Sequence, residues 1–362
     1  MIKEGHLQCY TLKLTARSPL FIGSGRKYQK TEYVFNSDTK QVSFLDEASF
    51  FQLMAEKNLV DRYEQFIFSG KRDLYDFFKN NCQLSATEME RITRYKVNSS
   101  NALDKDHSLK EIWAFQRNSA GQAYLPGSSV KGALRTALLT ELLGKTQPQR
   151  KTDKELNSLK DIPEGKYFHT LKCRTDDKGN PLDDPVNSLM RGIHVSDSQP
   201  ISDTSMILSG KLDVNVAGVG KKLNVCRECV APGTEFQLIL ALDQSILQGK
   251  ITANSLLNTI NAFGDYYWNT YVSCFDKTAL DVNEGYYNCL ILGGGAGFFS
   301  KTAIYPYLGD QALHWVSQTL SKQFRNHYHH NDESLGISPH TLKYTEYNGQ
   351  HYPFGVCGVE LL

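Results

Sequence analysis

At 362 residues, with 40% hydrophobic, 11% aromatic and 22% charged residues, the chain has a folded globular composition, which excludes a disordered or low-complexity protein. A formal net charge of +1 excludes a protein that is basic throughout, so any binding to nucleic acid has to come from local patches. The length suits two domains, each with a core of its own.

The first residues, MIKEGHLQCYTLKL, carry scattered charges and no apolar run of signal-peptide length, and no later run approaches a membrane span. This predicts a cytoplasmic protein with no membrane partner. Cys9, Cys82, Cys173, Cys226, Cys229, Cys274, Cys289 and Cys357 are dispersed, unlike the dense spacing of a secreted disulfide framework, and predict reduced thiols.

LQCYTLKLTA alternates as a strand and is closed by PLFIGSG. TEYVF and QVSFL read as a hairpin through NSDTK, and DEASFFQLMAEKN as a helix with Asp46 as N-cap. From about residue 60 to 123 the pattern is helical and polar in turn, which predicts an insertion between core elements. A core helix is expected from Ser128. The stretch 144–187, with two DD pairs and several Pro and Gly, predicts a surface excursion poorly ordered in part. IHVSDSQP and SMILSGKLDVNVAG are strand candidates, the latter opening a long hairpin tipped by GVGKK. EFQLILAL follows as a strand, then helices over about 252–275 and 311–327 and closing strands TLKYTEY and VCGVEL. Strands and helices intermixed through hairpins predict an α+β fold with antiparallel sheets in two domains, 1–232 with the insertion at about 60–123, and 233–362; a ferredoxin-like domain is the natural candidate, which periodicity alone does not separate from other two-layer sandwiches.

Several stretches could carry chemistry. In YLPGSSVKGALRTALL, Val130, Ala133, Leu134, Ala137 and Leu138 share one helical face, and Ser128, Lys131 and Arg135 share a flanking one. A helix N-terminus beside the hydroxyls of Ser128 and Ser129, with Lys131 and Arg135 one turn apart, suits a phosphodiester backbone; the alternative is an ordinary capped helix with two solvated charges. GAGFFSKT has P-loop spacing, but Ser300 stands where the last glycine belongs, and no strand ends in a magnesium-binding aspartate. Gly293, Gly294, Gly295 and Gly297 still allow close backbone approach and Lys301 can reach a phosphate; a glycine turn packed between elements is the other reading.

HYHH, with His327, His329 and His330, reads as a solvated helix end. Cys226 and Cys229 form one C-x-x-C without a second pair and read as structural, and Asp197 of VSDS has no identified catalytic partner. No catalytic set, metal site or cofactor is expected.

LPGSSVKGALRTALL and LGGGAGFFSKT resemble the signature helix and glycine-rich loop of the RAMP superfamily of CRISPR proteins. PLFIGSG, IHVSDS, APGTEF and SPHTLKYTEYNGQHYPFG agree in order and spacing with the fifth Csm subunits of type III-A effector complexes. The resemblance implies tandem ferredoxin-like folds in a filament of related subunits. Such a subunit binds the CRISPR guide RNA, caps the filament at the guide's 3′ side, packs on the adjacent RAMP backbone subunit among other Csm subunits, and supports maturation by a nuclease acting in trans.

Carried over, Ser128, Ser129, Lys131, Arg135, Gly293, Gly294, Gly295, Gly297 and Lys301 are RNA contacts. Local charge adds Arg26, Lys27, Lys30, Lys221 and Lys222. The related backbone subunits cut target RNA with a loop aspartate, whereas RKYQKTEYVF offers only Glu32. The expectation is a non-catalytic RNA-binding subunit. Its rivals are a metal-independent RAMP endoribonuclease using a histidine or Glu32, and an NTPase built on GAGFFSKT.

Overall fold

The computed structural model describes residues 2–70, 73–99, 102, 109, 111–275 and 286–362. In chain order, β1 (Ile2–Glu4) and β2 (Leu7–Ala16) lead to β3 (Gly23–Tyr28), β4 (Tyr33–Asn36), β5 (Gln41–Leu45), α1 (Glu47–Glu56), α2 (Val60–Phe68), α3 (Ala86–Arg91), β6 (Thr93–Asn98) and β7 (Ile112–Phe115). Next come α4 (Gly127–Gly144), β8 (Ile193–Val195), β9 (Met206–Asn215), β10 (Gly220–Val230), β11 (Glu235–Asp243) and α5 (Ala253–Thr270). β12 (Cys289–Ile291), α6 (Ala312–Gln323), β13 (Thr341–Tyr347), β14 (Gln350–Pro353) and β15 (Val356–Leu361) complete the path.

The first sheet has the order β12-β15-β2-β11-β8, antiparallel throughout, with β1 also paired to β2. Along the chain β2, α4, β8, β11, α5 and β15 follow one another as β-α-β-β-α-β, the succession of a ferredoxin-like motif. Alternation buries Leu12, Leu14 and Ala16 of β2 beside Phe236, Leu238, Leu240 and Leu242 of β11, and exposes Ile239 between them. Val130, Leu134, Ala137 and Leu138 of α4 join the same core, each large aliphatic side chain contributing roughly 2 kcal/mol by leaving water. α5 packs on α4, and the Thr259 hydroxyl donates to Glu141 across that contact.

The second sheet has the order β14-β13-β9-β10-β7-β3, with β7 and β10 parallel and the other pairs antiparallel. Residue 232 lies between β10 and β11, and both large sheets contain strands from both sides of it, interleaved in the first. A boundary at 232 would therefore part hydrogen-bonded neighbours such as β2 and β11.

A third sheet, β4-β5-β6, joins α1 to α3 around a small core of Phe50, Leu53, Met54, Phe77, Phe78 and Ile92. Asp46 caps α1 as expected, accepting from the Ser49 N–H at 2.8 Å. The expected helical insertion over 60–123 is only partly helical, since it also supplies β6 and β7. In TRYKVN the alternation that places Tyr95 and Val97 opposite Phe44 and Val42 wins over helical propensity. Residues 71–72, 100–101, 103–108 and 110 of that insertion lie outside the described residues.

The 144–187 excursion carries ordered structure. The buried Asn187 amide donates to the carbonyls of Arg174 and Leu182 at 2.7 and 2.9 Å, closing the loop on itself.

Beneath the second sheet, Glu228 of β10 is fully buried. It accepts from the Phe115 N–H at 2.9 Å, the Tyr95 hydroxyl at 2.6 Å and Arg117 at 2.5 Å. The Arg117 guanidinium lies 4.3 Å from the Tyr95 ring centroid and also bonds Asp203 at 2.7 Å. Burial and the Glu228 charge push the Tyr95 hydroxyl pKa far up.

Candidate nucleic-acid interface

The end of β2 delivers PLFIG, the start of α4 delivers GSS, and the end of β12 delivers GGG. These three turns meet around a cleft of about 550 Å³. Its walls include Gly25, Ser128, Ser129, Gly293, Gly294 and Lys301. The Gly294 N–H donates to the Phe21 carbonyl at 3.1 Å, locking the glycine loop to the turn after β2.

Gly293 has φ +84°, and a Cβ there would stand 2.1 Å from the Phe21 carbonyl oxygen, so only glycine fits. A Cβ at Gly295 would strike Phe354, and one at Gly297 the Lys343 side chain; these glycines serve approach by protein. Gly294 is different: its Cβ would meet only the Phe21 ring, at 3.8 Å, and its face is turned to the cleft. Lys301 is exposed at the rim.

α4 starts at Gly127, one residue before the expected Ser128, and two of its expected RNA-binding side chains turn elsewhere. The cleft is lined by Ser128, Ser129, Gly132, Ala133 and Thr136. At 100° per residue Lys131 and Arg135 lie off that face. Arg135 pairs with Glu164, its Nε donating at 2.7 Å, and its guanidinium sits 4.8 Å from the Phe168 ring centroid. Lys131 is half-buried, and desolvation lowers its pKa.

The α4 N-terminus is also less open than the sequence suggests, because Asp197 accepts the Gly127 N–H at 2.8 Å. Asp197 is a tether for α4. A Cβ at Gly127 would stand 2.3 Å from the Val195 carbonyl oxygen, so this tether holds two backbones in close approach.

β3 borders the cleft through Gly23 and Gly25 and carries two of the expected cations. Lys27 bonds Glu111 at 2.9 Å and covers the Trp113 ring at 4.5 Å, while Arg26 pairs with Glu32 and lies 4.9 Å from the Tyr28 ring centroid. These exposed pairs are worth little in water and can exchange for phosphate. Lys30 is exposed in the turn that follows. Lys221 and Lys222 sit at the tip of the β9–β10 hairpin, and Lys221 lines a different cleft.

Trp113 lines the cleft although no motif in the sequence marks it, beside Phe21 of the PLFIGSG stretch. Arg227 lies 5.3 Å from the ring centroids of both Phe21 and Phe354, with Nη1 buried and unbonded among the described residues. Both rings are buried and Arg227 is outside the cleft lining, so this is an internal packing contact, and R-E-C in a strand gives no local sign of it.

Cys226 and Cys229 stand three apart on one strand, hence on opposite faces and in separate cores, so they cannot share a metal ion. His329, expected at a solvated helix end, is instead buried, because the chain turns at Tyr328 (φ +55°) and brings it under α6. No helix among the described residues is long and apolar enough to cross a membrane.

The family model of the RAMP superfamily matches residues 13–292, and the chain belongs to that superfamily. It is 28% identical to the CRISPR system Cms protein Csm5 of Mycobacterium tuberculosis over 98% of both chains. It is 29% identical to the Streptococcus thermophilus protein of the same name, over 81% of this chain and 79% of that one. In fold it is similar to a chain of a cryo-EM structure of a Csm-crRNA-target RNA ternary complex of a type III-A CRISPR-Cas system, with TM-score 0.67, 16% identity, and 97% and 100% of the two chains covered.

Proposed function

We propose that the protein is a non-catalytic, RNA-binding Csm5-type subunit of a type III-A CRISPR effector complex. It holds guide RNA in the cleft between the β2 turn, the start of α4 and the glycine loop. The observation that carries this reading is the convergence of three stretches, distant in sequence, on one cleft walled by hydroxyls, glycine backbone and Lys301. Hydroxyls, backbone N–H groups and a lysine bind the phosphate-sugar chain without reading its bases. Support for a non-catalytic role is that Asp197, the acid at the start of α4, is engaged by the Gly127 N–H.

Within the complex the subunit caps the filament at the guide's 3′ side, packs on the adjacent RAMP backbone subunit, and supports maturation by a nuclease acting in trans. We read the architecture as one ferredoxin-like core, β2 to β15, carrying the second sheet as an elaboration; the β2–β11 and β2–β15 pairings support this over two domains parted at 232.

The test is guide RNA retained by the assembled complex across a salt series. Lys301→Ala with Ser128→Ala should release guide at lower salt, the slope of log affinity against log salt falling by about one for each phosphate no longer neutralised. Arg135→Ala, whose partner is Glu164, should change retention far less. Unchanged retention in the Lys301/Ser128 variant would remove the cleft from consideration. Cleavage of repeat RNA by the pure protein, abolished by one His→Ala change, would replace this reading with an endoribonuclease.

A further inference from the structure

Asp332 is completely buried, and among the described residues no lysine or arginine pairs with it. Its Oδ2 accepts from the Ser338 hydroxyl at 2.6 Å and faces His329 Nδ1 at 2.9 Å; its Oδ1 faces His340 Nδ1 at 2.6 Å. The side chains of His329 and His340 are 9% and 24% exposed. A buried carboxylate is costly unless it is paired or holds a metal ion, and the groups that face this one are two imidazoles and a hydroxyl.

The three ligand atoms lie within 4.8 Å of one another. Both histidines border a cleft of about 1030 Å³ between the β9–β10 hairpin and α6, which gives an ion a route from solvent.

We infer that His329, Asp332 and His340 form a binding site for a divalent transition-metal ion, with zinc the best match. Two imidazole nitrogens and one carboxylate suit zinc, whereas magnesium and calcium prefer all-oxygen shells. Three protein ligands leave a fourth position open toward the cleft for water. Each histidine would bind as neutral imidazole, any proton on the ligating nitrogen leaving to solvent. The ion would tie the segment after α6 to the Ser338–His340 turn that precedes β13. This inference is independent of the RNA reading.

The experiment uses the full purified chain and cobalt(II) as a spectroscopic substitute, with zinc as competitor. Expected are visible d–d bands saturating at one equivalent, loss of those bands on adding zinc, and no near-ultraviolet thiolate band. Zinc at a hundredfold excess over its Kd should raise Tm by roughly 3 °C, and magnesium should not. His340→Ala, and separately His329→Gln, should lose the bands while keeping the near-ultraviolet circular dichroism of a folded chain; His351→Ala should keep them. Should His340→Ala fail to fold, His340→Gln takes its place. The inference is overturned if the parent protein gives no cobalt spectrum, if a thiolate band shows that cysteines bind the metal, or if the spectrum survives loss of His340.

Discussion

Asp197 accepts the Gly127 N–H at 2.8 Å and so joins the loop after β8 to the first turn of α4. The carboxylate sits where the helix dipole is positive, and part of the attraction this end would hold for a phosphate is already spent inside the protein. Asp197→Asn should keep the hydrogen bond and remove the charge. Stability should stay within about 0.5 kcal/mol of the parent, and guide retention should persist to slightly higher salt. Asp197→Ala should cost about 1 kcal/mol, read by urea melts, because the N–H is left without its acceptor.

Gly293 and Gly294 separate a structural glycine from a functional one. At Gly293 the positive φ and the Phe21 carbonyl oppose any side chain, so Gly293→Ala should destabilise by about 2 kcal/mol or more in chemical denaturation. At Gly294 a methyl meets ordinary van der Waals space. Gly294→Ala should leave stability near the parent value and show its effect, if the cleft holds RNA, in guide retention alone.

The Glu228–Arg117 pair should behave as a buried ion pair. Glu228→Ala leaves a guanidinium whose side chain is 8% exposed with Asp203 as its remaining acid, and takes the acceptor from the Phe115 N–H and the Tyr95 hydroxyl. A loss of about 3–5 kcal/mol is expected in equilibrium unfolding, and Glu228→Gln, which keeps acceptor oxygen, should lose less. A cost below about 1 kcal/mol would mean that water reaches this network.

Thiol chemistry should set the two exposed cysteines apart from four of the buried ones. Burial pushes the Cys229 and Cys289 thiols up to about 12, so at pH 8 both stay protonated as well as shielded. Cys173 and Cys274 are exposed. Iodoacetamide at pH 8 followed by peptide mapping should label Cys173 and Cys274 in minutes and leave Cys226, Cys229, Cys289 and Cys357 unmodified until the chain is unfolded.

What the sequence disclosed was mostly local. β2, β13 and β15 occupy the residues their alternation marks, Asp46 caps its helix, and the GVGKK hairpin forms, because each depends on neighbours within a few positions. The partnership of strands was not legible: nothing in LQCYTLKLTA says that its neighbours begin at Glu235 and Val356. The same holds for the site. Ser128, Gly294 and Lys301 stood in marked motifs, but the turning of Arg135 toward Glu164, the capture of Gly127 by Asp197 and the inward rotation of His329 are contacts between separate elements. A charged residue near a motif is visible in a sequence, whereas the acid that neutralises it is not.

The position of β2 sets a timetable for synthesis. One of its edges is closed by β11 and the other by β15, some 340 residues downstream. At roughly 5–20 residues per second a ribosome leaves the Leu12–Ala16 stretch of that second edge, beyond the part covered by β1, bare for tens of seconds. During that interval the growing chain presents a strand with part of one edge unpaired, which a chaperone or another nascent copy could engage first.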